Sequence, residues 1–251
     1  MKFSIITATY NSEKTIKDAL NSVASQTYKN IEHIIIDGAS TDNTLSVINE
    51  NSGKISKIIS EPDKGIYDAL NKGIKNASGD IIVFLHADDI YADNTVIEKA
   101  ATLFSEKKTD SIFGDLQYVS KDDTNKIIRY WKSGEFTFSK LKKGWMPPHP
   151  TFFVRKEIYD KYGLFDTNFR IAADYDIILR FLGKYKISTA YLHEVMIKMR
   201  IGGESNKSIK NIFKKMKEDL KALKKNNLGS IHTVFLKNIS KIPQLFKKYA
   251  N

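Results

Sequence analysis

Residues 81–85, Ile-Ile-Val-Phe-Leu, form an unbroken apolar run that stops at His86-Ala87-Asp88-Asp89. A run of this kind belongs inside a parallel sheet covered on both faces. Open α/β sheets bind their ligands just beyond the carboxyl ends of such strands. Two adjacent acids at that place are costly unless a cation joins them, and a divalent metal carrying a diphosphate would do so. The alternative is that one aspartate caps the next helix while the other is solvated.

The segments before this run alternate in the same way. Phe3–Thr7, Ile31–Ile36, Lys54–Ile59 and Asp80–Leu85 read as strands. Between them lie helical patterns: Ile16, Ala19, Leu20, Val23 and Ala24 on one face, and Ile66, Ala69, Leu70, Gly73 and Ile74 on another. The β-α-β-α-β-α-β order predicts a mostly parallel, Rossmann-like α/β sheet with right-handed crossovers. Further on, Asp110–Leu116, Thr151–Val154 and Leu192–Ile201 have strand character, and Asp174–Leu182 reads as a helix. Residues 120–150 hold few clear elements.

Each of the four strand ends carries polar groups. Strand one runs into Thr9-Tyr10-Asn11 without the glycines of a dinucleotide fold or a phosphate-wrapping loop. That segment offers backbone groups and a ring suited to a nucleobase, or Tyr10 simply packs. Strand two ends at Asp37, able to accept from a nucleobase N–H or a ribose hydroxyl, or to close an Asx turn. Strand three is followed by Asp63-Lys64-Gly65 and strand four by Asp88-Asp89. One nucleotide site accounts for all four more economically than four unrelated turns and caps.

The chain of 251 residues has no cysteine, which removes disulfides and thiolate metal sites and fits a reducing compartment. Met1-Lys2 leads straight into the first strand, so no signal peptide is expected, and no apolar run approaches the ~18 residues of a membrane span. The net charge of +11 is uneven. Residues 206–251 carry 12 lysines against Glu218 and Asp219, whereas residues 1–205 are nearly neutral.

Ser4–Asn11, Ile36–Thr44, Asp63–Gly73 and Leu85–Asp89 together resemble the ordered motifs of family 2 glycosyltransferases of the GT-A fold. His149-Pro150-Thr151 and Ala172-Ala173-Asp174-Tyr175-Asp176 extend the likeness to about residue 205. The resemblance implies that Thr9, Tyr10, Asp37 and Asp63 surround the base and ribose of a nucleotide-sugar donor. It implies that Asp88, with Asp89, holds Mn²⁺ or Mg²⁺ against the diphosphate, and that Asp174 is the general base of an inverting transfer. Such a transfer needs one carboxylate to take the acceptor proton and stabilisation of the departing diphosphate.

Two positions depart from the family pattern. His86 stands where an acid is usual, either reaching the metal or a phosphate or acting as a hydrogen-bonded helper. Ala173 precedes Asp174 where an acid is common, and Asp176 lies close enough to compete as base. Lys64, Trp145, His149 and Ala173 are candidate donor or acceptor contacts, with core packing the alternative for Trp145. Arg200–Ser205 forms either a mobile flap or the edge of the catalytic domain. The expected division is a catalytic domain over 1–205, comprising a nucleotide-binding half (1–89) and an acceptor and base half (90–205), followed by a basic helical tail over 206–251.

The chain lacks the Gln-x-x-Arg-Trp motif and spans of processive synthases, so the resemblance implies transfer of a single sugar, from a UDP-sugar to a glycan or lipid-linked acceptor in bacterial surface polysaccharide synthesis. A nucleotidyltransferase on a related fold would want a Gly-rich basic loop after strand one. In the tail, Ile209, Ile212, Phe213, Met216, Leu220 and Leu223 share a helical face, and Ile231, Val234, Phe235, Ile242, Leu245, Phe246 and Tyr249 suggest a second, disturbed by Pro243. These faces suit an anionic membrane surface, placing the enzyme at the cytoplasmic side of the membrane. Alternatively they pack on the catalytic domain or on a second copy of the chain, as a homodimer. Nucleic acid is not an expected partner, since the tail aromatics lie on the apolar face.

Overall fold

A computed structural model describes residues 1–202 and 209–239. The alternating first half folds as β1 (Phe3–Thr9), α1 (Ile16–Ala24), β2 (Ile31–Asp37), α2 (Thr44–Glu50), β3 (Lys57–Ser60), α3 (Ile66–Asn76) and β4 (Ile81–Phe84). It continues through β5 (Ile90–Tyr91), α4 (Val96–Lys107), β6 (Ser111–Val119), β7 (Ile127–Trp131), α5 (Phe138–Lys142), β8 (Phe153–Arg155) and α6 (Lys156–Tyr162). Helix α7 (Ala173–Ile178) runs on into a π-helical turn, Leu179–Lys184, and is followed by β9 (Thr189–Arg200), α8 (Ile209–Lys225) and α9 (Ile231–Ile239).

The sheet order is β3-β2-β1-β4-β8-β6-β9-β5, with β7 on β6. Strands β3, β2, β1 and β4 are parallel, as the alternation requires. Beyond them β8 is antiparallel to both β4 and β6, and β9 is parallel to β6 but antiparallel to β5. The expectation of a mostly parallel sheet is therefore corrected to a mixed one. A three-residue strand inserted head-to-tail between longer strands has no sequence period of its own.

The apolar run of β4 is explained by helices on both sides. Ile81, Val83 and Leu85 join Phe3 and Ile5 in a cluster with Val23 of α1 and Ile97 and Phe104 of α4. Ile82 and Phe84 join Ile6 in a cluster with Leu70 of α3, Tyr159 of α6 and Ile177 of α7. Alternate residues point to opposite faces, so a strand covered twice reads as continuously apolar. Ile66, expected to face inward, is instead 45% exposed at the start of α3.

At the other end of β2, two buried polar groups find partners. Glu32 accepts from Lys2, Ser4, Ser78 and the backbone of Gly79. His33 lies beneath the sheet with Nε2 3.0 Å from Thr7 Oγ1.

Among the described residues of the lysine-rich segment, α8 and α9 dock on the body of the protein. Ala222, Leu223, Leu228 and Val234 are buried in the same cluster as α7, with Met216 and Leu220 at its edge. A Cβ on Gly183 would lie 2.1 Å from Leu228 Cδ1, so this close approach needs glycine. Ile212, Phe213, Ile231, Phe235, Leu236 and Ile239 remain exposed. The expected second face thus divides between Val234 inside and Ile231 and Phe235 outside. Ile242, Leu245, Phe246 and Tyr249, with Pro243, lie outside the described residues, as do Gly203, Glu204 and Ser205 of the expected flap. Arg200 ends β9 7% exposed and donates to the carbonyls of Asp88 and Lys121 and to the Asp18 carboxylate of α1. It therefore anchors the turn after β4.

Candidate active site

Register aligns the strand ends. Thr9 pairs with Asp37, and Asp37 pairs with Ser60, so β1, β2 and β3 finish on one line. Thr9 is buried and its Oγ1 has no hydrogen-bond partner. Tyr10 is 60% exposed just beyond it. Asp37 is fully buried, taking the amide and hydroxyl of Ser40 and the hydroxyl of Ser60. Its carboxylate is thus used within its own turn, through Ser40 three residues on, and on the neighbouring strand through Ser60.

Asp63 turns back toward this edge. Its Oδ1 accepts from Gly65 N at 2.7 Å, and its Oδ2 would sit 2.5 Å from a Cβ on Gly38, with the Tyr10 ring at 3.5 Å. Glycine at 38 thus leaves room for the Asp63 carboxylate beside the Tyr10 ring. Lys64 is exposed in the same loop, and its carbonyl accepts from Arg170 Nη1 at 3.1 Å.

The turn after β4 meets the second half here. His149, in a helical turn before β8, stacks on Phe84 with centroids 5.4 Å apart and lies 6.4 Å from the His86 ring. Burial holds the His86 imidazole below its ordinary range, against the pull of the Asp88 and Asp174 carboxylates. Burial likewise lowers His149 to about 4, with Asp174 opposing and His86 assisting. Four expected site residues, His86, Asp88, His149 and Asp174, therefore share one electrostatic neighbourhood.

Within it the two adjacent acids differ. Asp88 is exposed. Asp89 is 1% exposed, neither carboxylate oxygen has a partner, and burial, then Asp88, pushes it well above the carboxylate range while Arg200 opposes. Its field also reaches Tyr118 of β6. His86 Nδ1 is a further buried atom without a partner. Among the described residues no three His, Asp or Glu groups form a metal cluster by themselves. The set does fit a hard divalent cation held by one or two protein carboxylates, with phosphate oxygens and water completing the shell.

Asp174 opens α7. Its Oδ1 accepts from Tyr175 N at 2.7 Å and lies 3.5 Å from Tyr67 Oη, while Oδ2 has no protein partner among the described residues. Asp176 cannot compete with it, being fully buried and held by Lys225 Nζ at 3.1 Å and Asn226 Nδ2 at 3.0 Å. Ala173 is fully buried, so its methyl contributes packing. Trp145 donates to Ser133 O and packs edge-on against Phe113, the packing alternative named above.

Tyr67 was not singled out from the sequence although it lies within the Asp63–Gly73 motif. It donates to Ile171 O at 2.7 Å and so ties α3 to the loop before Asp174. Glu218, in the sequence only an acid among lysines, also reaches this region. It accepts from the backbone N–H groups of Arg170, Ile171 and Ala172.

The buried imidazoles make stability pH-dependent. His33 falls to about 3 and His149 to about 4, both through burial, from an ordinary 6.5. The unfolded chain binds these protons first as pH drops, so their contribution is complete above about pH 6.5 and is lost toward pH 4 and 3. Each ring should cost about 2 kcal/mol between pH 7 and 5, from ~1.4 kcal/mol per pH unit. Glu32 is held at about 2: burial opposes, but hydrogen bonds from Lys2, Ser4 and Ser78 prevail, so its contribution is lost only below about 4.5. Denaturant midpoints at pH 7 and 5 measure this, and equal values would contradict it.

Residues 4–163 match the model of the family Glycosyl transferase family 2. The chain belongs to that family. This family 2 glycosyltransferase is 32% identical over 218 residues to a PGL/p-HBAD biosynthesis glycosyltransferase of Mycobacterium bovis, covering 85% of the chain and 82% of the relative. An uncharacterized glycosyltransferase of Mycobacterium tuberculosis is 35% identical over 182 residues, 70% of this chain and 67% of that protein. In fold it resembles S. aureus TarS 1–349 in complex with UDP-GlcNAc, with TM-score 0.71 and 21% identity over 94% of this chain and 70% of that one. The mannosyltransferase PcManGT from Pyrobaculum calidifontis, in complex with GDP-Man and Mn²⁺, gives TM-score 0.67 at 15% identity over 97% and 72%. The architecture is that of a GT-A glycosyltransferase, a mixed sheet flanked by helices.

Proposed function

We propose that this enzyme is an inverting, non-processive transferase that moves one hexosyl or N-acetylhexosaminyl group from a UDP-sugar to a hydroxyl of a glycan, itself lipid-linked, in bacterial surface polysaccharide synthesis. The observation that carries the reading is the approach of Asp174 to the His86–Asp88 turn, close enough that both carboxylates act on one imidazole. Tyr10, Thr9 and Asp63 lie on the nucleoside side of that turn, with Asp37 bracing the loop through Ser40 and Ser60. Asp174 takes the acceptor proton as the hydroxyl attacks the anomeric carbon. Asp176, locked to α8, offers no second carboxylate as a nucleophile, in keeping with single displacement.

Asp88 would hold Mn²⁺ or Mg²⁺, with His86 and Asp89 as the neighbouring groups. When bound, the cation supplies stabilisation of the departing diphosphate. His86 and His149, kept neutral by burial, can hydrogen-bond phosphate or sugar oxygens without adding charge. The test is nucleotide release across a panel of UDP- and GDP-sugars with a membrane lipid extract as acceptor. Excess chelator should cut transfer by roughly 10²–10³-fold, restored by Mn²⁺ or Mg²⁺, and Asp88→Asn should copy that loss. Full activity in chelator would remove the metal from the reading.

Membrane attachment belongs to the same proposal. Phe213, Phe235 and Leu236 are exposed on helices that also expose Lys214, Lys217, Lys221 and Lys224. Each lysine near an anionic surface contributes about 1 kcal/mol. Binding to vesicles containing phosphatidylglycerol should fall steeply with salt and be absent with pure phosphatidylcholine. Equal binding to both would sink the electrostatic part. Among the described residues no helix is long and apolar enough to cross a membrane.

A further inference from the structure

We propose that Glu218 of α8 is a positioning residue for Asp174, an inference that rests on Asp174 being the base. The residue before α7 is Ala172, which has no side chain able to cap the exposed N–H groups of a helix start. Glu218, from another helix, instead holds the N–H groups of the three residues that lead into α7, while Asp174 Oδ1 itself takes Tyr175 N in the first turn. Glu218 Oε2 takes Ile171 N at 2.8 Å, Ala172 N at 3.0 Å and Arg170 N at 3.1 Å, and Oε1 takes Arg170 N at 3.2 Å. A carboxylate accepting from backbone N–H groups makes charge-assisted bonds, and it also meets the positive end of the α7 dipole.

The same face of α8 holds the residues on the other side of Asp174. Asp219 pairs with Lys237 at 2.8 Å, and the Lys237 ammonium lies 3.2 Å from the centre of the Tyr175 ring. Lys225 and Asn226 hold Asp176. Residues 170–172 and 175–176 are thus fixed by α8 and α9, and Asp174 between them has its backbone placed while Oδ2 stays available. The grip also reaches the donor side, since Arg170, whose backbone Glu218 holds, donates through Nη1 to Lys64 O. Proton abstraction tolerates little displacement, and a 1 Å shift of a reacting group costs on the order of 10²-fold in rate. A contact that merely stabilised the fold would change the melting temperature and leave turnover of the folded enzyme intact.

The experiment compares Glu218→Ala and Glu218→Gln in the full chain, using the donor that supports turnover in the release screen. In Glu218→Ala, kcat should fall about 10–100-fold, with UDP affinity and donor KM unchanged within about twofold. Glu218→Gln keeps the shape and one acceptor oxygen, so it should recover part of kcat and serves where the alanine variant folds poorly. In an Asp174→Asn background, Glu218→Gln should cost nothing further, because both act on one step. The proposal is overturned by wild-type kcat in both variants, by equal losses in kcat and UDP affinity, or by additive losses in the double variant. If Asp174→Asn itself keeps wild-type turnover, the base assignment fails on its own, whatever Glu218 does.

Discussion

Asp174→Asn should reduce sugar transfer by about 10³-fold or more while nucleotide affinity stays within about twofold of wild type, within the 10²–10⁴-fold range of positioned acid–base groups. Asparagine preserves the size of the side chain and can still accept from Tyr175 N. What it loses is the basic Oδ2, the oxygen with no protein partner among the described residues. In the proposed reading donor affinity is carried elsewhere, by the strand ends near Thr9, Tyr10 and Asp63 and by Asp88, so it should be spared. The measurements are steady-state turnover and UDP binding on the same preparation. Wild-type turnover would exclude Asp174 as the base. Joint loss of turnover and UDP affinity would mean that the carboxylate serves donor binding instead.

The second large effect concerns stability. Asp219→Ala should lower it by roughly 3–5 kcal/mol, the usual penalty for removing one partner of a buried ion pair. Asp219 and Lys237 are 2% and 3% exposed, and burial already holds the lysine below its ordinary range while Asp219 opposes. The change leaves an ammonium against the Tyr175 ring without its carboxylate. For a chain of this size the melting temperature should fall by roughly 6–20 °C, at ~2–4 °C per kcal/mol. Adding Lys237→Met to an Asp219→Leu background should recover most of the loss, because an apolar pair of similar volume removes both desolvation penalties. A single-variant loss below about 1 kcal/mol would show that the lysine sheds its proton or reaches water at little cost.

The sequence carried the first half of the fold, through β4, well because local rules governed it. Apolar strand runs, amphipathic helices and turn residues recur from Phe3 to Phe84, and the structure follows them within a few residues. Helix α4 was equally legible in Val96, Ile97, Ala100, Ala101 and Phe104, but was not read. The later strands were harder because β5 has two residues, β8 has three, and their pairing is set by neighbours far along the chain. In the site, His86, Asp88, His149 and Asp174 could be named from the sequence and do come together. Asp37 could be named, but its consumption by Ser40 and Ser60 could not be foreseen, because Ser60 lies on another strand. Glu218 and Asp219 appeared only as two acids among lysines. Net charge reports what a helix shows to solvent and says little about the face it buries, which is how α8 came to look detachable.

The hold of Glu218 on the lead into α7 also has an order in time. Ala172 is made 46 residues before the carboxylate that receives its N–H. Chains grow from the N-terminus at about 5–20 residues per second, and early regions can fold as they emerge. The helix bearing Asp174 is therefore synthesised while the N–H groups of Ile171 and Ala172 still lack the Glu218 carboxylate. The contact that fixes the approach to Asp174 is thus among the last parts of the described protein to be synthesised.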